Sequence, residues 1–220
     1  MKTKISVTNT NAETFMSDAD RCLSVAGIDE HFSPNQQTLL KVNISWQYYY
    51  PACSTTPWQL EAAIKSLRGH GFNDLLSVHN GTVVVNPVEG SRNNKHVNVE
   101  VKHNVPSIYL DFPSTNWVLH KPKSKLLVLN EIFPEGIFIP DVLIGKNILH
   151  LPTAKTHVFT TITGAMKNAF GGLLNHRRHW THSVIHETLV DLLTIQKEIH
   201  TGIFAMVDAS MAGDGPGPRA

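Results

Sequence analysis

The side chains best suited to chemistry lie between Leu151 and His186, in a stretch rich in histidine, lysine and glycine. Two of them are lysines, Lys155 and Lys167, and five are histidines: His157, His176, His179, His182 and His186. Imidazole exchanges protons near neutral pH and ligates metals, while an ammonium group attracts anions. This concentration of basic and hydrogen-bonding groups predicts a polar functional site.

Further polar residues stand where predicted strands end and predicted helices begin. Such ends converge on one rim of a parallel sheet, and a helix N-terminus favours an anion. The rim residues expected to bind a ligand are Lys41, Asn43, Thr55, Thr56, Lys155, Thr163, Lys167, Asn168 and Asp214. Together they predict a site for a small acidic molecule. The alternative interpretation is that the lysines are solvated and the threonines only cap helices.

Two pairs of residues are candidates for catalytic roles at this rim. His157 or His182 would act as the general acid or base, and Asp208 or Asp214 would be the carboxylate that orients the ligand. These assignments treat the chain as an enzyme, although no nucleophile elbow, phosphate-binding loop or dinucleotide-binding motif supports one.

The histidines near the end of the stretch allow three interpretations. Three of them are spaced by three and four residues within a predicted helix, His179–His200: His179, His182 and His186. Such spacing places side chains on one side of a helix, where they could ligate a metal together with a carboxylate. With Arg177 and Arg178 the same residues could instead hold an anion, or they could simply pack at the edge of the core. A non-catalytic metal- or ligand-binding module is therefore the alternative to an enzyme.

The elements that must position these residues predict an α/β fold. Apolar, β-branched runs at Thr38–Ser45 and Asp74–His79 are typical of buried strands. Between them a helix begins at Pro57, with Thr56 as its N-cap. A strand, a helix and a strand in this order predict a parallel pair with a right-handed crossover. We therefore expect three layers: a mostly parallel sheet with helices on both faces.

The other predicted elements complete one domain over residues 1–220. Helices are predicted at Ala12–Ala26, Thr163–Phe170 and His179–His200. Strands are predicted at Thr82–Val85, Ser107–Phe112, Trp117–His120, Lys125–Leu129, Val142–Leu151 and Ile203–Asp208. The polar span Asn86–Asn104 is predicted to be an exposed insertion or hairpin, and residues 86–125 as a whole could be an antiparallel hairpin insertion.

Composition excludes several classes of protein. The chain has 220 residues, of which 41% are hydrophobic and 17% charged, as in globular domains, and its net charge is +1. Such a charge gives no attraction to nucleic acid or membranes, and neither a signal peptide nor an apolar membrane span is evident. Two cysteines without a framework spacing predict no disulfide scaffold. We expect a cytoplasmic protein with neither a nucleic-acid nor a membrane partner.

Five segments, in this order, resemble one protein family. They are KVNIS at Lys41–Ser45, STTP at Ser54–Pro57, LPTAKTH at Leu151–His157, TGAMKNAFGG at Thr163–Gly172 and VDASMAGDGPGP at Val207–Pro218. The pattern resembles the domain-of-unknown-function 362 family from Lys41 to the C-terminus. It departs from the family at Val42, where proline is usual, and in the histidine-rich segment Asn175–His186.

The resemblance implies an α/β fold and a shared polar site. Some members of the family carry ferredoxin-like iron–sulfur domains, which implies a redox association and an iron–sulfur redox partner. The family often continues beyond the Gly-Asp-Gly-Pro loop, so the resemblance implies that this chain is incomplete at its C-terminus. Neither a reaction nor a cofactor follows from the resemblance.

Overall fold

A computed structural model describes residues 3–82, 85–110, 114–174 and 176–217. The strands are β1 (Thr38–Val42), β2 (Leu75–His79), β3 (Ser107–Tyr109), β4 (Trp117–His120), β5 (Ile137–Pro140), β6 (Asn147–Leu151), β7 (Thr153–His157), β8 (Thr161–Thr163), β9 (Gly202–Ala205) and β10 (Asp208–Gly213). Five of them form a parallel sheet in the order β3–β2–β1–β6–β9. The predicted parallel pairing of β1 with β2 is thereby confirmed.

Helices cover both faces of this sheet, as predicted. They are α1 (Phe15–Ala26), α2 (Ile28–His31), α3 (Pro57–Gly69), α4 (Pro87–Asn93), α5 (His96–Lys102), α6 (Leu129–Ile132), α7 (Ala165–Leu173) and α8 (Ile185–Ile199). Because side chains alternate along a strand, Leu39 packs in the core with α7 and α8, whereas Leu40 packs in the core with α1 and α3. Within the described part of the chain, no helix is both long and apolar enough to cross a membrane.

Local signals explain where α3 begins and where α1 ends. Thr56 caps α3 as predicted, because its hydroxyl oxygen accepts the N–H of Gln59 at 3.2 Å and Pro57 needs no partner in the first turn. Gly27 ends α1 in the left-handed conformation, at φ 88°, which glycine adopts without steric cost.

Antiparallel pairs flank the parallel sheet. β4 and β5 form an antiparallel pair, so an antiparallel element is present as expected, although only β4 lies within residues 86–125. A second, three-stranded sheet has the order β10–β7–β8, in which β7 is antiparallel to β8 and parallel to β10. Only Pro152 separates β6 from β7, so this small sheet starts at the C-terminal edge of the large one.

The polar span Asn86–Asn104 forms two short helices, α4 and α5, instead of a hairpin. The side chain of Asn86 accepts the N–H groups of Val88 and Glu89 at 3.0 and 3.3 Å, and so caps α4. Lys95 separates the two helices in a left-handed conformation, at φ 67°. The predicted hairpin was wrong because its Asn-Pro start is a helix cap.

The predicted strand Lys125–Leu129 does not form. Three backbone N–H groups that a strand would pair with its neighbour donate instead to the carboxylate of Asp191 on α8. They are those of Leu127, Val128 and Leu129, at 2.7, 2.9 and 3.0 Å. A buried carboxylate 62 residues or more along the chain thus replaces a neighbouring strand.

The predicted helix His179–His200 is wrong in its first part. The α-helix begins at Ile185, and the preceding residues His176–Val184 form a tighter 3-10 segment. Apolar residues that reach the core, such as Leu189 and Leu192, occur only in the α-helical part. Tertiary packing therefore supports an α-helix only from Ile185 onwards.

The remaining predicted elements form with shifted bounds. The strand within Val142–Leu151 is β6, the strand within Ile203–Asp208 is β9, and the helix predicted at Thr163–Phe170 is α7, which bends at Gly171 and Gly172. Thr82–Val85 shows a single bridge between its end residues, and its two central residues lie outside the described ranges. In Ser107–Phe112 the strand β3 ends at Tyr109, and the last two residues also lie outside.

Candidate functional site

The candidate site lies at the C-terminal edge of the parallel sheet. The strand order reverses between β1 and β6, because β2 lies on one side of β1 and β9 lies beyond β6 on the other. In open α/β sheets the loops diverge at such a point and leave a crevice for a ligand. The segments after β1 and β6, and the start of α7, carry most of the predicted rim residues.

Lys155, His157 and Thr163 lie on one face of the β7–β8 ladder. Lys155 and His157 are two residues apart on β7 and both are buried, while Thr163 is the residue directly opposite Lys155 on β8. The hydroxyl of Thr163 is buried and has no hydrogen-bond partner among the described residues. A buried hydroxyl normally has a partner, so this one is unusual.

The ammonium group of Lys155 is held against the loop that follows β1. It donates to the hydroxyl of Ser45 at 2.5 Å and to the backbone carbonyl of Cys53. Burial lowers the pKa of Lys155 to about 8, and the nearby Cys53 only partly opposes this shift. The side chain is therefore a cation whose charge is costly in its present surroundings.

Lys167 brings a second ammonium group from the first turns of α7. Burial, together with the positive charges of Lys155 and Arg178, lowers its pKa to about 8. Its Nζ lies 4.4 Å from the centre of the Phe170 ring, and no carboxylate of the described residues forms an ion pair with it. A cation–π contact stabilises an ammonium group less than a carboxylate partner does.

Two imidazoles complete the group. Burial, together with the charges of Lys167, Lys155 and His182, lowers the pKa of His157 to about 4. The Nδ1 of His157 accepts the N–H of Phe159 at 3.1 Å. Burial, followed by Lys167, also lowers the pKa of His182. We call Lys155, His157, Lys167 and His182 the basic cluster.

Phe159 and Phe170 belong to this site, although nothing in the sequence distinguished them from core residues. The ring of His182 stacks on Phe159 at 4.6 Å between ring centres and lies 5.5 Å from Phe170. These contacts join the 3-10 segment to the β7–β8 turn and to α7. Only the folded chain brings the three rings together, since they are separated by 11 residues or more along the sequence.

Lys41 and Asn168 hold the elements of the rim together. The buried Lys41 donates from Nζ to the carbonyl of Val42 at 2.8 Å and to Oδ1 of Asn80 at 2.6 Å, while Asn168 donates from Nδ2 to the carbonyl of Lys41 at 2.8 Å. The strand β1, the end of β2 and the helix α7 are thereby tied to one another. Lys41 also lines a small pocket together with His150.

Asn43 and Thr55 connect the loop after β1 to the end of β6. The hydroxyl of Thr55 donates to the carbonyl of Leu151 at 2.5 Å and accepts the N–H of Asn43 at 2.8 Å. The amide of Asn43 donates to the carbonyl of Cys53 at 3.0 Å, the same carbonyl that Lys155 contacts. These two residues position the loop that carries the partners of Lys155.

Asp208, the first residue of β10, contacts the residue that caps α3. Its Oδ2 accepts the hydroxyl of Thr56 at 2.7 Å and its Oδ1 accepts the N–H of Ser210 at 2.8 Å. Asp214 is exposed just after β10. Within the described ranges, no hydrogen bond or ion pair connects either carboxylate to the basic cluster.

The histidines proposed as metal ligands do not converge. His179 and His186 are exposed on different elements, while His182 faces the phenylalanine rings. No three His, Cys, Asp or Glu side chains within the described ranges come together in a group that could hold a metal ion. The break in the predicted helix at Ile185 accounts for this, because it removes the common helical face.

Comparison with known proteins places the chain in a family. No curated protein and no solved structure matches the chain. Residues 38–220 match the model of one protein family, described as "Domain of unknown function (DUF362)". This match covers the parallel sheet, the basic cluster and the loop after β1 that holds Lys155. The chain therefore belongs to the domain-of-unknown-function 362 family.

Proposed function

We propose that the basic cluster binds the anionic group of a small acidic molecule at the C-terminal edge of the sheet. The observation that carries the proposal is the convergence of two lysines and two histidines from β7, α7 and the 3-10 segment in a largely buried position. The unpartnered hydroxyl of Thr163, opposite Lys155, supports it independently.

The charges of the cluster explain why an anion would bind. Lys155 and Lys167 are partly desolvated, and the charge of the first makes the second harder to protonate. A phosphate or carboxylate between them would relieve both effects, and charge-assisted hydrogen bonds are stronger where water is excluded. The hydroxyl of Thr163 could donate to the same anion.

Binding should take up protons. Near pH 8 each of the two lysines is about half protonated in the free protein, and an anion favours the charged form of both. We expect roughly one proton to be taken up per anion at this pH and affinity to fall as the pH rises further. At neutral pH the low pKa of His157 keeps its ring neutral. Because its Nδ1 accepts the N–H of Phe159, the ring proton is on Nε2, which could donate a hydrogen bond to the bound anion.

Calorimetry with inorganic phosphate tests the proposal. We expect the protein to bind phosphate, and Lys167→Gln to weaken binding by about tenfold or more, as the loss of a charge-assisted hydrogen bond predicts. The matched control is Lys65→Gln, which removes the same charge from an exposed position of α3. It should bind phosphate as the unmodified protein does.

Two results would contradict the proposal. One is the absence of phosphate and sulfate binding up to tens of millimolar in a folded protein. The other is equal weakening by Lys167→Gln and Lys65→Gln, which would show that only the net charge matters. Repeating the titration near pH 8 in buffers with different ionisation enthalpies measures the proton uptake directly.

A further inference from the structure

We infer that the acid bound by the basic cluster is an aromatic one, whose ring stacks on Phe159. The inference rests on the proposed anion site and adds the class of ligand: aryl phosphates and aryl carboxylates, which carry a flat ring next to an anionic group. The inference also rests on the aromatic rings that contact His182 and on the exposure of one of them, Phe159.

A row of rings extends from the ammonium group of Lys167. The Nζ of Lys167 lies over the ring of Phe170, and the centre of the His182 ring lies 5.5 Å from that of Phe170. His182 also stacks on Phe159, with 4.6 Å between ring centres and an interplanar angle of 23°. Aromatic rings are thus contiguous with the cationic groups. A ligand held by its anionic group at the lysines would have aromatic side chains beside the rest of its body.

Phe159 is the exposed end of this row. Although it stacks on His182, half of the side chain, 50%, remains accessible to solvent. Two apolar neighbours in the same β7–β8 hairpin are more exposed still, Val158 at 64% and Ile162 at 67%. Ile162 lies opposite Thr156, on the other face of the ladder from Lys155 and His157, so Phe159 is the residue of these three that contacts the basic cluster, through His182. An exposed aromatic ring beside buried cations is typical of a ligand-binding site.

Stacking gives a reason for an aromatic ligand in place of any apolar acid. Aromatic pairs contribute beyond the area that they bury, because their quadrupoles favour offset-stacked or edge-to-face arrangements. A saturated ring of the same size would bury a similar area and carry the same charge, yet it would lack this contribution. An aromatic acid should therefore bind more tightly than its saturated counterpart, by about three- to tenfold.

The experiment compares phenyl phosphate, cyclohexyl phosphate and inorganic phosphate by calorimetry at neutral pH. We expect the protein to prefer phenyl over cyclohexyl phosphate, Phe159→Leu to lose this preference and retain its affinity for inorganic phosphate, and Phe159→Tyr to keep both. The matched control is Phe138→Leu on β5, a partly buried position between the core residues Ile137 and Ile139. It should behave as the unmodified protein.

The outcomes separate this inference from the proposed function. Binding of inorganic phosphate with equal affinity for the two esters would overturn the aromatic ligand and leave the anion site in place. A preference that persists in Phe159→Leu would overturn the assignment to Phe159. Failure of all three compounds to bind would overturn the proposed anion site itself. Circular dichroism of each variant shows that loss of binding is not loss of folding.

Discussion

Acidification to about pH 4.5 is expected to unfold the protein, because three buried histidines are neutral in the folded state. Burial lowers the pKa of His96 to about 4, of His150 to about 3 and of His200 to about 4. Each has a hydrogen-bond partner on one ring nitrogen, and the other nitrogen has none among the described residues. A proton added to any of them would be buried without an acceptor.

The sign of the effect follows from proton counts. Between pH 6.5 and about 4 the unfolded chain binds more protons than the folded one at these positions, so stability falls as the pH falls. By pH 4.5 each histidine costs about 2–3 kcal/mol. Together they approach the whole free energy of unfolding of an ordinary domain, about 5–15 kcal/mol.

Urea unfolding followed by circular dichroism between pH 7 and pH 4.5 measures this effect. His150→Gln should show a shallower pH dependence, because glutamine can still donate to Gln196 but cannot be protonated. The control His179→Gln replaces an exposed histidine and should keep the steep dependence. A free energy of unfolding that stays constant from pH 7 to pH 5 would contradict the prediction.

Glu100→Leu is expected to destabilise the protein by about 3–5 kcal/mol, because it leaves His79 buried without its charged partner. The His79 Nε2 lies 2.6 Å from a Glu100 carboxylate oxygen, and both side chains are almost fully inaccessible. Burial opposes ionisation of Glu100, yet the hydrogen bond and charge of His79 outweigh it and lower the pKa of the carboxyl group.

A double variant distinguishes a broken pair from lost packing. His79→Phe combined with Glu100→Leu removes both polar groups, so it should recover most of the stability that Glu100→Leu loses. The phenyl ring can keep the stacking on Tyr109, which lies 5.0 Å from the His79 ring. If the double variant is as unstable as Glu100→Leu in urea unfolding, packing and not the unpaired histidine determines the cost.

This pair also supports the candidate site. Next to His79 lies His96, with ring centres 5.8 Å apart, and the Nε2 of His96 donates to the carbonyl of Thr55 at 2.7 Å. Thr55 in turn contacts Leu151 at the end of β6. The buried polar residues between β2 and α5 thus hold the start of α3 in place beside the rim.

Local signals in the sequence were sufficient for much of the fold. The cap at Thr56 with Pro57 specifies the start of α3, and the apolar runs of β1 and β2 specify buried strands, because these signals act within a few residues. The order strand–helix–strand then implies a parallel sheet. The alternation along a strand also explains why Lys155 and His157, two residues apart on β7, face the same side.

Tertiary contacts decided the rest. Lys41 was expected to bind a ligand at the rim. In the fold its ammonium group donates to Asn80 and its carbonyl accepts from Asn168, residues 39 and 127 positions away. His182 was predicted to share a helical face with His179, yet its ring stacks on Phe159 instead.

The sequence by itself determined which residues are basic, which strands are buried and which family the chain resembles. Only the tertiary structure decided that Lys155, His157, Lys167 and His182 form one cluster, that Asp208 pairs with Thr56, and that Thr163 keeps an unpartnered hydroxyl. The physical reason is distance along the chain: caps and periodicities are local, whereas the surroundings of a charge depend on segments that meet only after folding.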